Sequence, residues 1–336
     1  MGGPERAPQS PRGAPRRFLA PAILVTLVAL VPLVYPQPFV ITLLVFVGIY
    51  IIVCTGLSLI FGYAGQLSLT QAAFYGIGAY TSALLTTRLD VSFWLGLVAA
   101  GLLPGIVAAL IGAPILRLRH YYLAMATLAF SEIMVVVFIQ EVDITGGPTG
   151  ITHVPSPSVL GLSLHTSTRY YYLVWTIAVL VVAFSYNLIR SKFGRALRAI
   201  SDNEVAASAM GVDVARMTSL MFVLSAIYAG IGGALYAHYI SFVSPDTFSV
   251  SLSILLVIMV AVGGVQSLWG AVLGAIFITV LPSLLGAYQQ YAMLVYGLIL
   301  VLVLMFMPQG IAGVGSALVG RLRRPRGAAA TAEATR

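Results

Sequence analysis

The side chains able to do chemistry are few in this sequence, and they do not converge. Histidines stand at His120, His153, His165 and His238, without the spacing that metal ligation needs. Cys54 is the single cysteine and lies in an apolar run, which excludes an intrachain disulfide or a cysteine metal cluster. The single lysine, Lys192, sits between Ser191 and Phe193. A nucleotide-binding phosphate loop needs Gly-Lys-Ser or Gly-Lys-Thr, so this chain carries none. Any ATP-driven step therefore belongs to another polypeptide. One acidic group is out of place: Glu132, near the middle of the apolar stretch 121–140. An Asp, Lys or Arg at the centre of a membrane helix costs about 2.5–3.5 kcal/mol, and a glutamate is of that order. Glu132 has to face a cavity or a partner, either in a solute path or in a buried hydrogen bond between helices. Thr127 and Ser131 lie beside it in sequence.

A second pattern is glycine followed by hydroxyls and amides. Gly62 and Gly65 stand three apart at the junction of two apolar runs, ahead of Gln66, Ser68, Thr70 and Gln71. Glycine permits an unwound backbone, and a helix N-terminus offers free N–H donors. Such a break lines the solute path in some transporters. It equally makes a tight turn between close-packed helices, and the sequence leaves both readings open. Gly65, Ser68, Gln71, Thr127 and Glu132 are the candidate pathway residues. Residues 264–267 echo 65–68 faintly, but the two fall in segments that a five-plus-five repeat would not superimpose. Gly101 with Gly105, and Gly270 with Gly274, make small-xxx-small faces suited to helix packing.

A third pattern lies in the polar segment 190–216. Ser201 and Glu204 have capping-box spacing, which predicts a helix from about Asp202, and Gly211 stands where a left-handed C-terminal cap belongs. A helix this short needs something to pack on. A protein partner and the lipid headgroups are the two candidates. The residues singled out there are Gly194, Arg195, Arg198, Asp202, Glu204, Ala207 and Gly211.

The elements that must position these residues follow from composition. The chain has 336 residues, 60% of them hydrophobic and 8% charged, where soluble domains carry about 25% charged residues. So little charge cannot clothe a surface in water, and lipid must be the solvent for most of the chain. The expected fold class is all-α, a polytopic transmembrane helical bundle of about ten spans. The segments are 18–35, 39–61, 66–87, 91–116, 121–140, 170–189, 217–240, 249–263, 267–286 and 291–307, the eighth being short. The net charge of +8 comes from basic residues at the termini and in short loops, with no basic stripe interleaved with aromatics. That arrangement sets orientation and argues against a nucleic-acid partner. Arg117, Arg119, Arg190, Lys192, Arg195, Arg198 and Arg216 fall on one side, while Asp90, Glu141, Asp143 and Asp246 fall on the other. Both termini are therefore expected in the cytoplasm. The expected domains are a tail at 1–17, a permease domain at 18–312 and a tail at 313–336. Within the permease domain, 190–216 is cytoplasmic and the turn-rich loop 141–169 lies outside.

These residues resemble the LivM-type permease subunit of branched-chain amino acid ABC importers over roughly residues 40–312. The resemblance is carried by 62–80, 122–130, 145–151, 193–200, Ala206-Ala207, Ala209-Met210-Gly211, Ala229-Gly230, 233–237, Ser244-Pro245, 263–275 and Pro308-Gln309-Gly310. Thr70 and Gln266 stand where the resemblance leads one to expect glycine, and Ala271 where proline is common. The resemblance implies a permease in a bacterial inner (plasma) membrane, which imports branched-chain amino acids or, in similar permeases, urea, short amides or other small solutes. It implies a second, LivH-like permease, two cytoplasmic ATPase subunits that hold ATP and magnesium, and a solute-binding protein outside. This chain would itself be no enzyme and bind no cofactor, and the segment Gly194 to Gly211 would receive the ATP-driven motion. An ion-coupled secondary carrier is the competing class, and it would be expected to carry more ionisable residues within its spans than Glu132 alone.

Overall fold

A computed structural model describes residues 37–284, apart from 117, 119, 120, 160, 161, 164 and 165, together with 32, 297, 298, 310, 311 and 313. The first and tenth expected spans, nearly all of both tails, and Arg117, Arg119, His120 and His165 lie outside the described residues.

Helix α1, Pro38–Ser58, opens on a proline at its first position, where the missing N–H costs nothing. Its end widens into a π-helical turn, Leu59–Tyr63, in which the Ala64 N–H reaches back to the Leu59 carbonyl at 3.2 Å. Residues 66–70 form no helix, and α2 runs over Gln71–Arg88. The segment expected to span from 66 therefore starts at Gln71. The run of apolar and small residues is continuous there, but the backbone is not. Next come α3 (Phe93–Ile115), α4 (Tyr121–Gln140), α5 (Ser167–Arg190), α6 (Lys192–Asp202), α7 (Glu204–Ala209), α8 (Val214–Ile240), α9 (Val250–Gly263) and α10 (Leu268–Leu284).

Among the described residues, five helical stretches are long and apolar enough to cross a membrane: Pro38–Tyr63, α3, α4, α5 and α8. In addition, α9 and α10 form a pair bent by 118° at the break between them. An apolar segment in lipid can satisfy its backbone only within itself, and helices do that. Helix α2 is too polar to pass the same test, yet it is almost wholly buried, Gln71, Ser82 and Thr86 included. Its polarity faces other helices. The core is α1, α2 and α8, with α3 against α2 and α8, and α5 against α1. Helix α4 leans on this core through one narrow stripe, Leu123, Thr127, Ser131 and Phe138, spaced to share a face.

The bundle has two unlike ends. One gathers the break after α1, the segment α6–α7 and the turn between α9 and α10. The other gathers the loops 141–159 and 241–249. There, strand β1 (Ile151–Thr152) pairs with β4 (Phe242–Val243), Ile151 opposite Val243 and Thr152 opposite Phe242. Strands β2 (Ser158–Val159) and β3 (Leu162–Ser163) make a second small pair. The Thr145 hydroxyl donates to the Phe138 carbonyl at 2.7 Å and accepts from the Gly147 N–H at 3.2 Å. Buried His238 has Nδ1 2.7 Å from the Pro155 carbonyl and Nε2 2.8 Å from the Ser82 hydroxyl. A carbonyl only accepts, so Nδ1 carries the proton and Nε2 accepts from Ser82.

The segment between α5 and α8 corrects one expectation. The helix expected to begin at about Asp202 ends there, as α6, and a new one begins at Glu204. Asn203 is extended (φ −160°) and its side chain accepts from the Ala206 N–H at 2.9 Å. Asparagine is among the strongest N-caps, and here it displaces Ser201 from that role. Gly211 does adopt the left-handed conformation (φ +83°). The Gly211 N–H donates to Ser208 at 3.0 Å and the Val212 N–H to Ala207 at 3.1 Å, the reciprocal pattern of a Schellman cap.

Candidate functional site

The break after α1 is held open by side chains. The Leu69 N–H donates to the Thr127 hydroxyl at 3.2 Å, and the Leu69 carbonyl accepts from the Ser131 hydroxyl at 2.7 Å. Thr127 and Ser131, one turn apart on α4, thus take the place of a neighbouring strand. The Ala72 N–H donates to the Ser253 hydroxyl at 3.0 Å, and the Gln71 side-chain amide donates to the Ser225 hydroxyl. The Ser68 and Thr70 hydroxyls meet at 2.8 Å. Gln71 Oε1 is buried and has no partner among the described residues. Each such hydrogen bond contributes about 0.5–1.5 kcal/mol net, and a buried group left alone costs about 1–3 kcal/mol. Helices α4, α8 and α9 therefore fix a segment that has no ladder of its own.

Glycine is required at two positions here. A methyl on Gly62 would lie 1.9 Å from the Val265 carbonyl oxygen, in the turn between α9 and α10. Gly65 has φ +70°, and Ser201 of α6 is its nearest neighbour across the chain, with Ser201 Cα 3.6 Å from where a methyl would stand. The Tyr63 hydroxyl accepts from the Leu268 N–H at 3.3 Å. The two segments that echo each other in sequence, 65–68 and 264–267, thus sit at the same end, joined by Gly62, Tyr63 and Val265.

The candidate pathway residues do not all meet. Gly65, Ser68 and Gln71 belong to the break, and Thr127 holds it. Glu132 points elsewhere, on the uncovered face of α4 with Met125, Ile133 and Val136, which are 55%, 59% and 49% exposed. No described residue pairs with its carboxylate. Helix α4 therefore has one face committed to the break and another face, carrying Glu132, open to whatever lies beside the chain.

The segment α6–α7 packs inward through Gly194, Leu197, Ile200 and Ala207, while Arg195, Arg198, Asp202 and Glu204 are exposed. Ser191 caps α6, accepting from the Phe193 N–H at 3.1 Å. A methyl on Gly194 would lie 1.8 Å from the Ile189 carbonyl oxygen, so α6 leaves α5 at close quarters. Val205 and Met210 are 75% and 85% exposed, apolar side chains presented outward. A cavity of about 800 Å³ lies between this segment and the break, with Gly65, Gln66, Ser201, Asn203 and Glu204 on its walls.

Of the packing glycines, Gly101 and Gly105 face Ile227 and Ile231 of α8, and Gly270 and Gly274 face the backbone of α9 at Gly263 and Met259. Ser225 and Ser253 were not singled out from the sequence. Each is a hydroxyl in an apolar helix of the bundle, and that is the signal that marks them. Among the described residues no three His, Cys, Asp or Glu side chains gather to hold a metal.

Comparison with known proteins bears on this geometry. The profile of the branched-chain amino acid transport system permease component family matches residues 39–304. The high-affinity branched-chain amino acid transport system permease protein LivM of Salmonella typhimurium is 36% identical over 286 residues, 78% of this chain and 67% of that protein. LivM of Escherichia coli is 34% identical over 330 residues, 88% of this chain and 78% of its own length. LivH of Salmonella typhimurium is 28% identical over 285 residues, 79% of this chain and 91% of its own length. No solved structure matches the chain.

Proposed function

This chain belongs to the family of branched-chain amino acid transport permease components, and we propose that it is the LivM-like permease subunit of an ATP-driven importer of branched-chain amino acids. It forms one half of the pathway beside a LivH-like permease. Two ATPase subunits drive it from the cytoplasm, and a binding protein delivers solute on the other side of a bacterial inner membrane. Ten spans with both termini in the cytoplasm complete the topology, which the placement of basic residues supports.

One observation carries the mechanism. The segment α6–α7 lies beside the break in the bundle, with Ser201 the nearest neighbour to a methyl placed on Gly65, while it exposes Val205 and Met210 outward. An ATPase that grips the outer face of α7 moves Ser201, and Ser201 bears on the break. The break is held by hydroxyls on α4, α8 and α9, so its displacement is passed to those three helices. Arg195, Arg198, Asp202 and Glu204 give the partner charged contacts around the apolar pair. Gly194 and Gly211 fix the two ends of the lever, and Ala207 keeps α7 on the bundle. Glu132, on the uncovered face of α4, meets the solute path between the two permeases.

The test is reconstitution. Proteoliposomes holding both permeases, the ATPases and the binding protein should accumulate leucine with ATP, and those holding this chain alone should not. Uptake by this chain alone, driven by an ion gradient, would make it a carrier. Accumulation of urea or short amides with leucine ignored would move the substrate class.

A further inference from the structure

Helix α5 leaves one face uncovered. Its exposed residues Tyr172, Thr176, Leu180, Phe184, Asn187 and Arg190 recur every three or four positions, so they form a single stripe along the helix. No charged residue lies between Arg169 and Arg190. Hydrocarbon satisfies such a stripe, whereas the Glu132 face of α4 needs a polar partner. From Tyr172 to Arg190 is about 27 Å at the ordinary helical rise, close to the roughly 30 Å of a bilayer core. With Tyr172 at one boundary, Arg190 stands at the headgroups of the other.

The chain turns at that level. The Ser191 hydroxyl donates to the Leu188 carbonyl at 2.6 Å and accepts from the Phe193 N–H at 3.1 Å. Helix α6 then leaves with Lys192 and Phe193 exposed and exposed Arg195 one turn on. The Arg190 guanidinium lies over the Tyr186 ring, 4.4 Å from its centre, which holds the charge at the edge of the stripe. Lys192 has no ion pair among the described residues, and no acidic residue occurs between Asp143 and Asp202. The elbow between α5 and α6 is therefore positive, with hydrocarbon on its membrane side.

Adjacent cations at headgroup depth, an exposed phenyl beside them and an apolar stripe leading away describe the complement of an anionic phospholipid. We propose that the elbow between α5 and α6 binds such a lipid from the cytoplasmic leaflet. Its phosphate lies between Arg190 and Lys192, and its acyl chains run along Leu180 and Phe184. Phe193 rests in the headgroup layer, and Arg195 adds to the positive field. Lipid headgroups and a protein partner then divide the segment between them: lipid takes the root of α6 and protein takes the outer face of α7. The bound lipid braces the root, so that ATP-driven motion swings α7 about a fixed point. The lipid site stands apart from the importer reading, and only its effect on transport rests on that reading.

Two measurements test this. In the first, the full chain carries a fluorophore on A183C, on the same outer face, with native Cys54 buried, in phosphatidylcholine vesicles. Phosphatidylglycerol with a nitroxide on its acyl chain should quench the label at about tenfold lower mole fraction than nitroxide phosphatidylcholine, the preference expected from two cations at the surface. R190Q/K192Q should bring the two lipids within about twofold, and salt near 1 M, which screens surface charge, should do the same without any substitution at the elbow. Equal quenching by the two lipids at low salt, or a preference that survives both the double substitution and the salt, would overturn the proposal. In the second, the complete importer is reconstituted with and without phosphatidylglycerol. Leucine uptake by the wild type should rise with the anionic lipid, and R190Q/K192Q should lose that stimulation while keeping its ATPases. Loss of the ATPases would show that the patch grips protein, and stimulation as steep as in the wild type would show that it braces nothing; either result contradicts the proposal. The two readings fail differently. Uptake without lipid preference removes this site alone, whereas lipid preference without any ATP-driven uptake removes the importer reading alone.

Discussion

The two ends of the bundle close the chain by opposite means. At the end with loops 141–159 and 241–249, backbone pairs with backbone where β1 meets β4, and the His238 ring ties the Pro155 carbonyl to the Ser82 hydroxyl. At the other end the backbone at Leu69 and Ala72 is satisfied by hydroxyls from α4 and α9, and the Gln71 side chain by one from α8, and cavities of about 800 and 360 Å³ remain beside it. A strand pair constrains both partners at once. A hydroxyl can exchange its partner when a helix shifts, at a cost of about one hydrogen bond. The first end is built as a lid of fixed shape, the second as a joint. Only the joint is next to the segment that projects outward.

The largest effect should come from the close approaches that each end depends on. G62V places a side chain where the Val265 carbonyl stands, and overpacking of this kind costs about 3 kcal/mol or more. Thermal unfolding of the purified complex should shift down markedly, with loss of ATPase association. G150A strikes the other end, where φ is +66° and a methyl would meet the Val243 carbonyl oxygen at 2.0 Å. It should cost as much stability, but it should impair binding-protein-dependent uptake while ATPase association is retained. If both variants lose the ATPases equally, the two ends are not separable.

Next in size is the pair on Leu69. T127V and S131A each leave one buried backbone group unpaired, costing about 1–3 kcal/mol. Because both act on one residue, the double variant should cost less than the sum. Strict additivity in a double-mutant cycle of unfolding would mean that the break is not held as a unit. Glu132, on the other face of α4, should behave differently: E132A should lower uptake roughly tenfold, about 1.4 kcal/mol, with membrane insertion and unfolding unchanged. Unchanged uptake would remove Glu132 from the pathway. The smallest effect belongs to the closed end. S82A removes one hydrogen bond from His238, about 1 kcal/mol, and should lower the unfolding temperature slightly without touching uptake.

Much of this was legible in the residues. The apolar stretch 121–140 coincides with α4, and Gly211 caps α7 as its position implied, because both are set by local periodicity and backbone conformation. The polar helix α2 was legible as a segment but not in its start. Its break at 66–70 depends on Thr127, Ser131 and Ser253, which lie about 60 and 180 residues away and leave no local trace. The boundary at Asn203 was misread for a different reason. Ser201 and Asn203 are both good caps, but Ser201 lies inside α6, which leaves the extended Asn203 to cap α7. Glu132 was legible as an anomaly, but its face was not, since the choice between core and open face depends on how α4 leans on the bundle.

The closeness of Ser201 to the break is the point on which coupling turns, and a cross-link tests it directly. Ser201 and Gln66 line the same cavity, so S201C and Q66C can be joined by a short thiol-reactive cross-linker, with native Cys54 buried out of reach. In the complete importer, the linked protein should lose ATP-driven leucine uptake while the ATPases still hydrolyse ATP, and a reducible linker should restore uptake on cleavage. Full uptake with the cross-link intact would show that the break and the segment α6–α7 do not move against each other during transport.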